Sequence, residues 1–319
     1  RLLDADNTQH VWIEDLVIRN GNKGVTGNGA SHLVVRGCHI HNVEYGINGS
    51  LNEKDTMRGW FIADNIVEGP TTWPRTKGIE NARGIQMTGE GHEICHNRIR
   101  AFADAINTFP SPRCVGIDIH HNEISECTDD GIELDESERN VRCFRNRLTN
   151  VFQGISVQPV HGGPVYILRN ALHNVVHEPF KMHNNPSGAL FLHNTVVKQG
   201  MPFFVYTNAA VRNCLTRNNL FVGAGGGFAF ESTAKMQADC DFDYDGVAGG
   251  PWKTFVKWNE ARYPDAAAVR KDAPVWRHVI ELSSPDLFVS GTHPPQDGKQ
   301  VLPAADLRLK AGVSSALVY

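Results

Sequence analysis

The sequence predicts an all-β fold in which short parallel strands stack into a solenoid of about 24 residues per coil. Three observations predict it. First, an asparagine followed two residues later by an aliphatic recurs at Asn97-Arg98-Ile99, Asn122-Glu123-Ile124, Asn146-Arg147-Leu148, Asn170-Ala171-Leu172, Asn194-Thr195-Val196 and Asn218-Asn219-Leu220, in steps of 25, 24, 24, 24 and 24 residues. Second, short alternating runs such as Ile117-Asp118-Ile119, Val141-Arg142-Cys143, Val165-Tyr166-Ile167 and Ala189-Leu190-Phe191 precede these asparagines, with the period-two pattern of a half-buried strand. Third, another short strand recurs in each unit: Gly84-Ile85-Gln86-Met87, Ala105-Ile106-Asn107, Gly131-Ile132-Glu133-Leu134, Gly154-Ile155-Ser156-Val157 and Pro179-Phe180-Lys181-Met182.

Taken along the chain, Gly24-Val25-Thr26 and Gly46-Ile47-Asn48 place early coils at a different spacing. A unit this short, with no helical stretch, cannot bury its apolar side alone and must stack on its neighbours. Stacked strands lie about 4.8 Å apart, so each recurring asparagine falls on the next, where side-chain amides can form a ladder at a turn. Gly223, Gly225, Gly226 and Gly227 predict a flexible turn late in the stack; no GK[ST] follows them, so they are not a phosphate loop. After about Lys235 the rhythm stops. Trp252, Phe255, Val256, Asn259 and Tyr263 sit near helical spacing, and a proline-rich stretch leads into Asp306-Leu307-Arg308-Leu309. We expect residues 1–235 to form the solenoid and 236–319 an irregular or helical C-terminal cap that covers the last open coil.

Composition narrows the function classes. With 35 Asp and Glu against 31 Lys and Arg, the formal charge is -4. No clustered basic face offers itself to phosphates, which argues against a nucleic-acid binder. No run approaches the ~20 apolar residues of a membrane span. The seven cysteines are odd in number and form no CxxC pair, so most are expected to be buried thiols, with room for one disulfide. His39 and His41 share a strand face, His92 and His96 less clearly; both pairs are expected to be structural. The chain begins at Arg1 in a strand-like run, so a preceding segment is expected to have been removed.

Aligning the second strand of each coil gives three columns. The first runs Thr26, Asn48, Gln86, Asn107, Glu133, Ser156, Lys181, Phe204. Two residues further on come Asn28, Ser50, Thr88, Phe109, Asp135, Gln158, His183 and Tyr206. The turn before the strand supplies Arg83, Asp104, Asp130, Gln153 and Glu178. Glu133 and Asp135 are two residues apart on one strand, about 6.5 to 7 Å at the backbone. Asp104 lies one coil below and Lys181 two coils above, roughly 5 and 10 Å away. The candidate catalytic residues are therefore Asp104, Asp130, Glu133, Asp135, Lys181 and His183. Candidate substrate contacts are Arg83, Gln86, Asn107, Phe109, Gln153, Gln158, Glu178 and Tyr206. Asp129 is read as a turn residue.

The repeat resembles the right-handed parallel β-helix superfamily of pectate lyases, polygalacturonases and related carbohydrate-active proteins, over about residues 10–235. The resemblance implies a single-stranded right-handed parallel β-helix, and segment 306–312 is similar to the closing segment of many bacterial members. Four polygalacturonase motifs on successive coils have counterparts: Asp104-Ala105-Ile106, Asp129-Asp130-Gly131-Ile132, Gln153-Gly154-Ile155-Ser156 and Pro179-Phe180-Lys181. Gln153 stands where that family has histidine and Pro179 where it has arginine.

The favoured expectation is a glycoside hydrolase acting on a polysaccharide or oligosaccharide, with Asp130 and Glu133 leading and no cofactor; paired carboxyls suit inverting hydrolysis. One alternative is a Ca²⁺-dependent lyase or epimerase in which Asp130, Glu133 and Asp135 hold the ion and Lys181, its pKa lowered by its surroundings, is the base. Another is a noncatalytic glycan-binding β-helix in which Phe109 and Tyr206 stack on sugars. The resemblance implies a secreted or periplasmic location; a monomer is expected. Residues 123–138 contain eight acids and no base, so a mildly basic scaffold carries one acidic coil.

Overall fold

The computed structural model describes residues 1–49, 57–76, 78, 80–110, 113–236, 239–283 and 286–313; Ser50 and the end of the expected cap segment lie outside them. The chain is a parallel β-solenoid. One sheet of 15 strands runs from Leu3–Asp4 to Ile280–Leu282, and another of 10 runs from Trp12–Glu14 to Asp241–Phe242. A four-stranded sheet at the C-terminal end contains Phe203–Val205, Phe228–Ser232, Thr254–Trp258 and Ala261–Tyr263. Among the described residues no helix is long and apolar enough to cross a membrane.

Inward positions stack like on like. Ile47, Ile85, Ile106, Ile132, Ile155 and Phe180 are in register on successive strands and all buried. Each such side chain contributes about 1.5–3 kcal/mol by leaving water. The glycine before the aliphatic has a steric cause at two places shown plainly by the packing. A Cβ on Gly46 would lie 2.4 Å from the carbonyl oxygen of Gly84, and one on Gly154 would lie 2.2 Å from that of Pro179. The chain bends here toward the next face, and the coils approach too closely for a side chain.

The asparagine ladder is continuous from Asn65 through Asn97, Asn122, Asn146, Asn170 and Asn194 to Asn219. Each side-chain amide donates to the next coil's Oδ1 at 2.9–3.0 Å, and each backbone N–H donates to the same oxygen. The residues just before the rungs, including Asp64, His96, His121, Arg145, Arg169 and His193, have φ between 54° and 59°, so the ladder holds the inner edge of a left-handed turn. Its last amide, Asn219, donates to Asp245, which also accepts from Thr216 and the Trp276 indole.

Three expectations are corrected. The last asparagine rung is Asn219, not Asn218, because Leu220 faces outward; it is nevertheless buried, in an apolar cluster with Leu287 and Phe288. Parallel pairing continues beyond 235, through Asp241–Phe242, Gly246–Gly249 and Ile280–Leu282. Phe255, Val256 and Tyr263, expected near helical spacing, belong to an antiparallel strand pair; the helix is Ala266–Asp272, N-capped by Asp265.

The C-terminal core is closed by aromatic packing, with Phe203 4.6 Å from both Phe221 and Phe230, and Trp276 4.9 Å from Phe230 between ring centroids. Residues 296–305 do not cap the end. They run down the side of the stack: Gln199 donates to the carbonyl of Gln296, Asn174 to that of Gln300, Asn150 to that of Leu302 and Arg147 to that of Ala305. Six of the seven cysteines are buried and Cys240 is half-buried.

Candidate active site

The first outward column is in register as expected: Thr26, Asn48, Gln86, Asn107, Glu133, Ser156 and Lys181 pair in sequence. The strand Glu123–Glu133 shifts register between Cys127 and Asp130, and beyond the shift Asp130 pairs with Gln153 and Glu133 with Ser156. Asp104 and Asp130 are buried on adjacent coils, and the Asp130 backbone N–H donates to Asp104 Oδ1 at 3.0 Å.

Three cations meet these acids. Arg83 Nε is 2.8 Å from Asp104, Lys181 Nζ donates to Asp130 at 2.8 Å, and the Arg75 guanidinium lies 3.5 Å from Asp129. Arg75 comes from the connection between Ile66–Glu68 and Arg83–Met87 and stacks on Phe152, 3.6 Å from the ring centroid. Asp129 is therefore part of the cluster and not only a turn residue. Carboxylate oxygens of Asp104, Asp129 and Asp130 lie within 4.8 Å of one another. The expected ligand set of Asp130, Glu133 and Asp135 does not converge in this way, because Asp135 is turned into local bonds, accepting from Ser156 Oγ and the Gln158 N–H at 2.6 Å each.

Five carboxyls, Asp104, Asp129, Asp130, Glu133 and Asp135, thus share a low-dielectric patch with three cations. Full ionisation would leave two uncompensated negative charges, so the patch retains protons. Burial, reinforced by the Asp104 and Asp135 charges, pushes Glu133 up to about 9. Burial likewise raises Asp135 to about 7, and Asp104 to about 6 against the pull of Arg83. Burial drives Asp130 upward against the pull of Lys181. Lys181 corrects an expectation: burial works to lower it, but Asp130 at hydrogen-bond distance outweighs burial and holds it above the ordinary lysine value. A lysine in that state is a poor base.

The expected substrate contacts divide. Arg83 is committed to Asp104. Gln86 accepts from Asn48 and donates to the Phe109 carbonyl, while the Phe109 ring is 44% exposed. Asn107 donates to Glu133. Gln153 accepts from the Glu178 N–H, and Glu178, fully buried, faces His183 at 3.1 Å. The Tyr206 hydroxyl donates to Glu231, whose carboxylate also meets Lys257 at 2.6 Å. Three buried acceptors on this face, Asn107 Oδ1, Asp130 Oδ1 and Gln158 Oε1, accept no hydrogen bond from the described residues.

Sequence reasoning missed Arg75, Asp129, Glu231 and Lys257. Glu231 and Lys257 were accessible, since they continue the column of Phe204 in register. Arg75 left only an indirect signal, the 14 residues between Glu68 and Arg83, long for a solenoid connection.

No family model matches the chain, and no curated protein matches it. A solved structure described as "The complex structure of XylC with xylose" is similar at a TM-score of 0.49 and 11% identity, over 83% of this chain and 54% of that one. The chain thus spans about half the length of that neighbour.

Proposed function

We propose that the chain is a carbohydrate-active enzyme that cleaves glycosidic bonds in a polysaccharide by hydrolysis. The observation that carries this reading is the division of labour among the acids: Glu133 is pushed to about 9 and so protonated at neutral pH, next to Asp104, Asp129 and Asp130, each facing its own cation. Glu133 would give its proton to the leaving glycosidic oxygen. A carboxylate of the aspartate group would take the proton of the attacking water, whose oxygen bonds to the anomeric carbon. The three acceptors that take no hydrogen bond from the described residues add support, since sugar hydroxyls are donors. The resemblance to the polygalacturonase motifs supports the same aspartates, while Gln153 and Pro179 argue against uronate as the recognised sugar.

The lyase alternative fares worse on charge. A Ca²⁺ ion at Asp104, Asp129 and Asp130 would have to share them with Arg83, Arg75 and Lys181, one cation already on each acid. The oxygens are of the kind the ion takes, but the ion pairs compete for them, and the proposal uses no metal. Lys181, held protonated, orders Asp130.

The test is a panel of neutral and acidic polysaccharides assayed for new reducing ends and for unsaturated products, with and without a chelator. Hydrolysis predicts reducing ends without unsaturation, insensitivity to chelation, and loss in Glu133→Gln and Asp130→Asn. An unsaturated product that vanishes on chelation would sink it. Turnover untouched by both variants would move the chemistry off this face.

A further inference from the structure

A second cluster lies on another face of the solenoid, at the turn where the ladder runs. Two adjacent coils each present two neighbouring residues: Cys95 and His96 on one, His120 and His121 on the next. Cys95 and His120 are in register, and the His96 N–H donates to the His120 carbonyl. The rings of His96 and His121 stack at 5.0 Å with 17° between planes. One donor atom from each of Cys95, His96 and His120 lies within 4.8 Å of the others. His121 Nδ1 is 2.8 Å from His120 Nδ1.

We propose that Cys95, His96, His120 and His121 bind a zinc-class transition-metal ion that clips the two coils together. One thiolate and three imidazoles match the donor type and number of a tetrahedral zinc site. The local hydrogen bonds favour it. Glu93 Oε1 is 3.2 Å from His120 Nε2; that nitrogen donating to the carboxylate leaves the Nδ1 lone pair aimed at His121, the outer-shell arrangement common around ligating histidines. Cys95 alternates with core Ile94 and so faces out of the sheet, yet it is only 3% exposed and stands outside the main apolar cluster. A ligating thiol must be deprotonated, so metal entry releases a proton and affinity rises with pH.

The site is independent of the acidic face and its chemistry. The test is titration of the metal-free full chain with Co²⁺ and then Zn²⁺. One equivalent of Co²⁺ is expected to produce a thiolate-to-cobalt charge-transfer band and intense visible bands of tetrahedral geometry, both bleached by Zn²⁺. Cys95→Ser should abolish the charge-transfer band, and Glu93→Gln, which keeps every ligand, should weaken binding roughly 10-fold or more. His96→Ala and His121→Ala, both at exposed positions, test the site without touching the core, and each should weaken Co²⁺ binding and remove the Zn²⁺-dependent rise in Tm. Absence of a charge-transfer band in the wild type, its survival in Cys95→Ser with native circular dichroism, or unchanged binding in the His96→Ala/His121→Ala double variant would overturn the proposal.

Discussion

Lys181→Met is the sharpest probe of the acidic face. The substitution keeps the length of the side chain and removes its charge from a pair in which Lys181 Nζ and Asp130 Oδ2 are 2.8 Å apart, with side-chain exposures of 11% and 1%. Removing one partner of such a buried pair costs about 3–5 kcal/mol when the other stays charged. Asp130 need not stay charged, because burial already drives it upward and losing Lys181 raises it further. The folded variant then binds one more proton at this site than its unfolded chain does, from above about pH 4 up to the raised value of Asp130. More protons bound in the folded state means stability that falls as pH rises. The destabilisation relative to wild type should therefore grow by up to ~1.4 kcal/mol per pH unit, or roughly 2.7 kcal/mol between pH 5 and pH 7. Urea denaturation of both proteins at those two pH values, with m unchanged, measures it. Adding Asp130→Asn should recover much of the loss and flatten the pH dependence. A destabilisation equal at the two pH values, or below about 1 kcal/mol at both, would refute the placement of a compensated charge pair in this core.

Under the hydrolytic reading, Glu133→Gln should lower kcat by roughly 100-fold or more with KM little changed; wild-type activity should fall as pH rises through about 9, where Glu133 loses its proton, and initial rates across pH check both. Asn146→Ala removes two donated and two accepted ladder bonds in a fully buried site; at about 1 kcal/mol for each bond, a loss near 4 kcal/mol is expected in the same urea assay. Lys198 is buried, donates to the carbonyls of Gln199 and Met201, lies 5.7 Å over the Phe204 ring, and is lowered by burial to about 8. Its folded state binds fewer protons than the unfolded chain between about 8 and 10.5, so stability rises with pH there. Lys198→Met should be most stabilising below pH 8 and lose its advantage above it, read from Tm across pH.

What the sequence made legible was whatever repeats. The register of Ile85, Ile106, Ile132 and Ile155, and of the outward residues beside them, follows from a fixed coil length and needs no knowledge of neighbouring loops. Asn65 escaped notice because the next rung is 32 residues on, stretched by the connection that carries Arg75. Asn219 was misplaced because an outward leucine looks like an inward one until the tail that buries it is seen. Lys181 was placed correctly in its column, but the sign of its shift depends on a side chain reaching across to Asp130. Four of the five clustered acids were found by position, Asp129 being read as a turn residue; which of them keep protons is set by partners that arrive from loops and from other coils.

The C-terminal strand of chain along the flank bears on how this molecule comes apart. A solenoid held only by neighbour-to-neighbour contacts frays from its ends, one coil at a time. Here Gln199, Asn174, and the pair Asn150 and Arg147, on three successive coils, all grip one run of backbone between Gln296 and Ala305, and Trp73 reaches the carbonyl of Gln300 from below. That seam makes the middle of the stack behave as one mechanical unit. Cutting the chain before Gln296 should leave the coils intact but let them peel separately, turning one cooperative rupture under load into a staircase.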